Sequence, residues 1–136
     1  MLISDAVAEP RTLPLVTLRL AVQRDGEFLF LLWDDEARQA SFSGGPAELE
    51  GHRAWLARTL SEPCRYLFVA TEQGFPIGMV RLDVRVCEAE VSVNVIPTQR
   101  RRGVGTAILR ALEDEVRSRP FPFCGSLRTL TARIKQ

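Results

Sequence analysis

The sequence predicts a mixed α/β domain, α+β in character, with its elements in the order strand, two helices, three strands, helix, strand. Three observations predict it. Residues 66–95 hold three apolar, β-branched runs divided by short turn signals, the pattern of antiparallel hairpins. Residues 102–119 place apolar side chains at helical spacing. A last apolar run, 127–134, follows that helix, and a strand–helix–strand crossover makes the final two strands parallel.

Each element has its own signal. The first dozen residues read as a lead-in. Leu15 to Arg24 (LVTLRLAVQR) alternates partly and is rich in branched residues, a strand closed by the turn pair Asp25-Gly26. Glu27 to Ala40 reads as a helix with Phe28, Leu31 and Leu32 on its apolar stripe, broken by Ser43-Gly44-Gly45-Pro46. Ala47 to Leu60 reads as a second helix with Leu49, Trp55, Leu56 and Leu60 as its core positions, ended by Ser61-Glu62-Pro63. Strands follow at Tyr66–Thr71, Pro76–Val86 and Glu88–Val95, the first two joined by Gln73-Gly74. Arg102 to Arg119 is a helix with Val104, Ala107, Ile108, Ala111, Leu112 and Val116 on one face, stopped by Pro120 and Pro122. Leu127 to Ile134 is the last strand.

Composition sets the limits. At 136 residues the chain fits one domain, residues 1–136, large enough to bury a real core. Hydrophobic residues at 46% and charged residues at 26% exclude disordered and fibrous classes. A net charge of +1 gives no global attraction to nucleic acid or an anionic membrane, so any anion site must be local. No aromatic residues interleave with the arginines, which also argues against a nucleic-acid partner. No run of 18 apolar residues and no signal-peptide pattern occur, so no membrane association is expected. The three cysteines, Cys64, Cys87 and Cys124, form no C-x-x-C pair, and a reduced, cytoplasmic setting is expected. No metal ligand set is expected.

The most informative stretch is Val91 to Ala111, VSVNVIPTQRRRGVGTAILRA. A strand runs into Pro97, then three arginines, then Gly103-Val104-Gly105, then an amphipathic helix. Three cations at a helix N-terminus oppose the macrodipole, which is positive there. An anion resolves the conflict. Free N–H groups at a helix start, with glycine permitting close approach, make a phosphate nest, and guanidinium groups add bidentate contacts. A solvated basic turn fits the same residues equally well on electrostatics alone.

Arg100-Arg101-Arg102-Gly103-Val104-Gly105 also resembles the Q/R-x-x-G-x-G/A signature of the GNAT superfamily of N-acetyltransferases. The flanking context is similar: a strand ending in Val95-Ile96-Pro97, the signature, then a long helix. The element order over residues 15–134 resembles that family too. The resemblance implies a mostly antiparallel GNAT-type sheet with flanking helices. It implies acetyl-CoA as co-substrate, its pyrophosphate held by Arg100, Arg101, Arg102, Gly103, Val104, Gly105 and Thr106. It implies a pantetheine arm lined by Val93, Asn94 and Val95, with that strand splaying from the next to leave a V-shaped slot. The chemistry implied is direct attack of a neutral primary amine on the thioester, with a general base taking the proton.

Alternation along the third hairpin strand sets Val91, Val93 and Val95 on one face and Glu90, Ser92 and Asn94 on the other. Glu90 is the best general-base candidate, against the plainer reading of a surface glutamate on a sheet face. His52, the only histidine, reads as a surface or packing residue. Asp34 and Asp35 read as a solvated charge pair. In the GNAT family the first two helices and their loop shape the acceptor site. Trp33 to Ser43, followed by His52 and Trp55, loosely resembles a subset that acetylates nucleotide-linked amino sugars. That resemblance implies Trp33, Arg38 and Phe42 as substrate-binding residues, whereas Trp33 and Phe42 read equally as core aromatics.

The sequence departs from the family at its end. Members usually continue past the last predicted strand with a helix bearing an Asn and a Tyr, then a hairpin, whereas Gln136 follows that strand here. A truncated form, completion by another subunit, or coenzyme binding without turnover each fit. An open last strand is an edge hazard, so a homodimer that covers it is expected. Two functions compete: an amine acetyltransferase, on an amino sugar, a protein N-terminus or another small amine, and a non-catalytic acyl-CoA-binding module.

Overall fold

The computed structural model of the protein describes residues 13–33, 48–84 and 89–118, and the backbone of 130–135. Strands β1 (Thr17–Leu20), β2 (Arg65–Glu72), β3 (Phe75–Val84), β4 (Ala89–Val95) and β5 (Leu130–Lys135) form one sheet in the order β1-β2-β3-β4-β5. Helices α1 (Gly26–Leu31) and α2 (Leu49–Ser61) lie between β1 and β2, and α3 (Val104–Ser118) lies between β4 and β5. The neighbouring pairs from β1 to β4 are antiparallel, and β4–β5 is parallel, as the crossover requires.

The turn between β2 and β3 has positive φ at both central residues, 52° at Gln73 and 83° at Gly74, the handedness that matches twisted hairpin strands. Just beyond it the register slips: Ala70 pairs with Gly78 but Thr71 pairs with Pro76. Ile77 is the extra residue of this bulge, and Pro76, which has no N–H to give the ladder, sits beside it. The Ile77 carbonyl turns to β4 and accepts from the Ile96 N–H at 2.8 Å.

The sheet buries both faces. On one, Phe68, Val80, Leu82, Val91, Val93 and Val95 pack against Val104, Ile108 and Leu112 of α3. The α3 stripe is the one its spacing predicts, with Ala111 and Val116 at the rim. On the other face Leu67 and Val69 meet Leu29 and Leu32 near α1 and Leu56 of α2. Each fully buried aliphatic side chain contributes roughly 1.5–3 kcal/mol relative to exposure.

Three expectations change. The first strand ends at Leu20 rather than Arg24, because the Asp25 carboxylate takes over the chain beyond it. Asp25 accepts two hydrogen bonds from Arg19, at 2.8 and 2.9 Å, and one from the Val22 N–H at 2.8 Å, which winds residues 23–25 into a 3-10 turn. The Arg19 guanidinium holds that carboxyl below its usual pKa range. The first helix ends at Leu31, short of Ala40: its last turn tightens, with the Trp33 N–H on Phe30 O at 2.9 Å. Leu32 O, which a continuing helix needs for its own ladder, accepts instead from Asn94 Nδ2 at 2.7 Å. Leu31 is accordingly exposed, and Leu29 takes its place inside. On α2 the buried stripe is His52, Leu56 and Thr59, at i, i+4 and i+7, with Leu60 at the surface.

Candidate functional site

β4 carries the chain to Val95. Pro97–Gln99 then makes a 3-10 turn, and residues 100–103 lead into α3. Two of these four residues stand in the left-handed region, Arg101 at φ 66° and Gly103 at φ 81°. A non-glycine residue held there costs about 1–2 kcal/mol, so the surrounding structure over-determines the loop. Gly103 O accepts the first α3 bond, from Ala107 N at 3.0 Å, which makes Gly103 the N-cap. The N–H groups of Val104, Gly105 and Thr106 are therefore the first-turn donors that the helix itself cannot satisfy. No acidic residue lies in that turn. The donors and the positive end of the macrodipole face the same place, which is what an anion needs.

The three arginines divide. Arg100 is half-buried and turned back on its own strand: Nε donates to Val95 O at 2.8 Å and Nη2 to Asn94 Oδ1 at 3.2 Å. Arg102 Nη1 donates to Gln99 Oε1 and lies 3.6 Å from Glu72 Oε1, tying the loop to the end of β2. Arg101 is exposed beside the helix start. Gly103 has close company of another kind: a Cβ there would stand 3.0 Å from Leu13 Cδ2.

Along β4 the alternation is as read. Val91, Val93 and Val95 enter the α3 side, and Ser92 and Asn94 are buried on the other. Glu90 is half-buried at the far end, paired in register with Asp83 and Thr131. It stands four residues, about 13 Å, from Asn94. Asp83 is shared by two guanidinium groups, Arg65 Nε at 2.6 Å and Arg81 Nε at 3.0 Å. The β4–β5 pairing continues to Asn94↔Lys135, so any opening between these strands begins at Val95.

On the α1–α2 side an aromatic group surrounds the only histidine. Phe30 meets His52 edge-on at 5.4 Å, Trp55 lies 5.0 Å from it, and Arg81 Cζ sits 6.0 Å over the Trp55 ring. His52 is buried, and its Nδ1 has no hydrogen-bond partner among the described residues. Trp33 is half-buried just past α1. Arg38 and Phe42, and with them Asp34 and Asp35, lie outside the described residues.

Burial pushes the His52 imidazole below its ordinary pKa. The unfolded chain takes up a proton below about pH 6.5 that the folded chain resists, so stability is lost as pH falls through that value. A His52→Phe variant is expected to lose this part of the pH dependence, read as urea midpoints between about pH 7.5 and 5.5. Equal slopes in both proteins would contradict it.

Compared with solved structures, the fold is similar to a spermidine N-acetyltransferase from Vibrio cholerae in complex with CoA and spermine, at 17% identity and TM-score 0.63. That match covers 74% of this chain and 62% of the other, so the chain spans about three-fifths of that enzyme's length. A putative phosphinothricin N-acetyltransferase is similar at 23% identity and TM-score 0.59, covering 76% of this chain and 67% of the other. An acetyltransferase from Thermus thermophilus is similar at 19% identity and TM-score 0.58, covering 77% of this chain and 73% of the other. At these identities the likeness is one of fold. No curated protein matches the chain in sequence. The sequence profile of the acetyltransferase (GNAT) family matches residues 24–132, from the turn before α1 to within β5. With the helix-start loop and the sheet order in place, that match over most of the chain means that it belongs to the GNAT acetyltransferase family.

Proposed function

We propose that this chain is an acetyltransferase domain that moves the acetyl group of acetyl-CoA to a primary amine. The observation that carries the reading is the start of α3: three first-turn amides behind a left-handed Gly103, with no acid among them. These residues fit a pyrophosphate, since the helix leaves its first-turn donors unsatisfied and no acidic residue lies in that turn. Acetyl-CoA supplies an activated thioester, whose C–S bond breaks as the amine nitrogen bonds to the carbonyl carbon. Gly103, Val104, Gly105 and Thr106 hold the pyrophosphate through backbone N–H groups, and Arg101 adds charge from the rim. Val93, Asn94 and Val95 line the arm. An arm laid along β4 from this loop leads toward Glu90, whose carboxylate takes the amine proton, directly or through one water. Trp33, at the end of α1, belongs to the acceptor side, as do Arg38 and Phe42 on this reading.

The similar enzymes named for spermidine and phosphinothricin support an amine acceptor in general. An amino sugar on a nucleotide is the finer reading and rests on the Trp33–Ser43 pattern alone. The exposed Cys64 thiol supports a cytoplasmic setting, and the edge position of β5 among the described strands supports a homodimer.

One observation favours a second reading, an acyl-CoA-binding module without turnover. The β4–β5 ladder is closed to Asn94, where the resemblance calls for a slot. Thiol release from acetyl-CoA across a panel of amines separates the two. Release with at least one amine, lost about 100-fold in Glu90→Gln with the acidic limb of the pH–rate profile altered, is the expected result. Coenzyme binding without release for any amine would select the module. An unchanged pH profile in Glu90→Gln would remove that residue from the chemistry.

A further inference from the structure

Asn94 stands between two parts of the molecule that are far apart in sequence. Its Nδ2 donates to Leu32 O at 2.7 Å, and its Oδ1 accepts from Arg100 Nη2 at 3.2 Å. Arg100 Nε holds Val95 O at 2.8 Å. The result is one hydrogen-bonded path from the end of α1, through a buried amide on β4, to the first residue of the loop that opens α3. A carboxamide has one donor end and one acceptor end. A flipped amide would set its NH2 against the guanidinium and its oxygen against a carbonyl, two unfavourable contacts in a buried place. The position of Arg100 therefore fixes the Asn94 amide, and the amide fixes Leu32 O, the group whose capture accompanies the end of α1.

We propose that Arg100 is a positioning residue rather than a phosphate ligand, and that Asn94 transmits the state of the phosphate loop to the end of α1. The path joins the loop read as holding the coenzyme to the helix end read as shaping the acceptor site; that assignment of the two ends rests on the function proposed above, while the path itself does not. Loading of the loop then orders residues 32–33 before any amine arrives.

Hydrogen exchange of the Leu32 and Trp33 amides, which close the last turn of α1, reads the path directly. In the free chain Arg100→Gln and Asn94→Ala are each expected to speed that exchange about tenfold, while α3 amides keep their protection and report an intact fold. The double variant is expected to exchange no faster than the faster single one, because both changes cut the same path. Asn94→Asp separates the two halves: it keeps an acceptor for Arg100 and loses the donor to Leu32, so it is expected to behave as Asn94→Ala at residues 32–33. Coenzyme A is expected to slow exchange at 32–33 in the wild type and, at a concentration that saturates Asn94→Asp whatever its affinity, to leave that variant's exchange unslowed. The proposal is overturned if Arg100→Gln leaves 32–33 unchanged, if the single effects add, or if coenzyme A slows exchange equally in Asn94→Asp. A wild-type chain that bound no coenzyme A would defeat the proposed function, and the free-chain comparison would still decide the path.

Discussion

Replacing Gly78 with alanine is expected to lower the unfolding free energy by about 3 kcal/mol, near the upper end for adding one carbon to a packed core. The reason is the pairing of β3 with β4. Gly78 stands opposite Val95, and a Cβ there would lie 2.7 Å from Asn94 O and 3.0 Å from Ile108 Cδ1, with Val95 Cα at 3.4 Å. Two of these three atoms are backbone, so no rotamer change relieves the clash. Relief requires β4 to move away from β3 or α3 to lift from the sheet. Either shift disturbs the strand end from which the loop proposed to hold the phosphate departs, so coenzyme affinity is expected to fall with stability. Urea unfolding measures the first effect as a lower midpoint at unchanged slope. A loss below about 0.5 kcal/mol, the size of an ordinary surface substitution, would contradict the close approach.

Thr106→Asp is expected to move stability and coenzyme affinity in opposite directions. Thr106 is the third residue of α3, half-buried in a first turn with no acid of its own. A carboxylate there meets the positive end of the macrodipole and is expected to add about 0.3–1 kcal/mol to stability. The same carboxylate occupies the place proposed for the pyrophosphate. At about 4 Å and an effective dielectric near 20, two like charges repel by roughly 4 kcal/mol. Coenzyme A affinity is therefore expected to fall at least about 100-fold, close to 3 kcal/mol. Thr106→Asn, which matches the shape of the aspartate without its charge, is expected to retain most of the affinity. Thermal melting and calorimetric titration of the two variants read both signs. A Thr106→Asp protein that was both more stable and as tight as wild type would place the phosphate elsewhere.

The parts of this architecture that the sequence made legible are those governed by local rules. The α3 stripe follows from spacing alone, and the Gln73-Gly74 hairpin follows from turn chemistry. The loop before α3 stood out because three arginines at a helix start are electrostatically anomalous, and the Arg100-x-x-Gly103-x-Gly105 spacing, rather than the charge, set it apart from a solvated basic turn. What sequence reasoning missed depends on partners distant in the chain. Nothing near Leu32 signals that Asn94, sixty-two positions on, takes its carbonyl. The polar stripe of α2 escaped because His52 and Thr59 do not score as apolar, yet an aromatic surround buries the first. The three arginines read alike in sequence. Only the fold assigns Arg100 to Val95 and Asn94, Arg102 to Gln99 and Glu72, and leaves Arg101 at the rim. A signal for Arg100 did exist: it follows a buried strand by five residues, within reach of the last carbonyl.

The central claim is that the start of α3, Gly103 to Thr106 with Arg101 at its rim, holds the pyrophosphate of coenzyme A. Calorimetric titration of coenzyme A into the wild-type chain tests it most directly. Saturable one-to-one binding that weakens as salt screens the loop is the predicted result. The absence of saturable binding, or binding unaffected by salt, would contradict it.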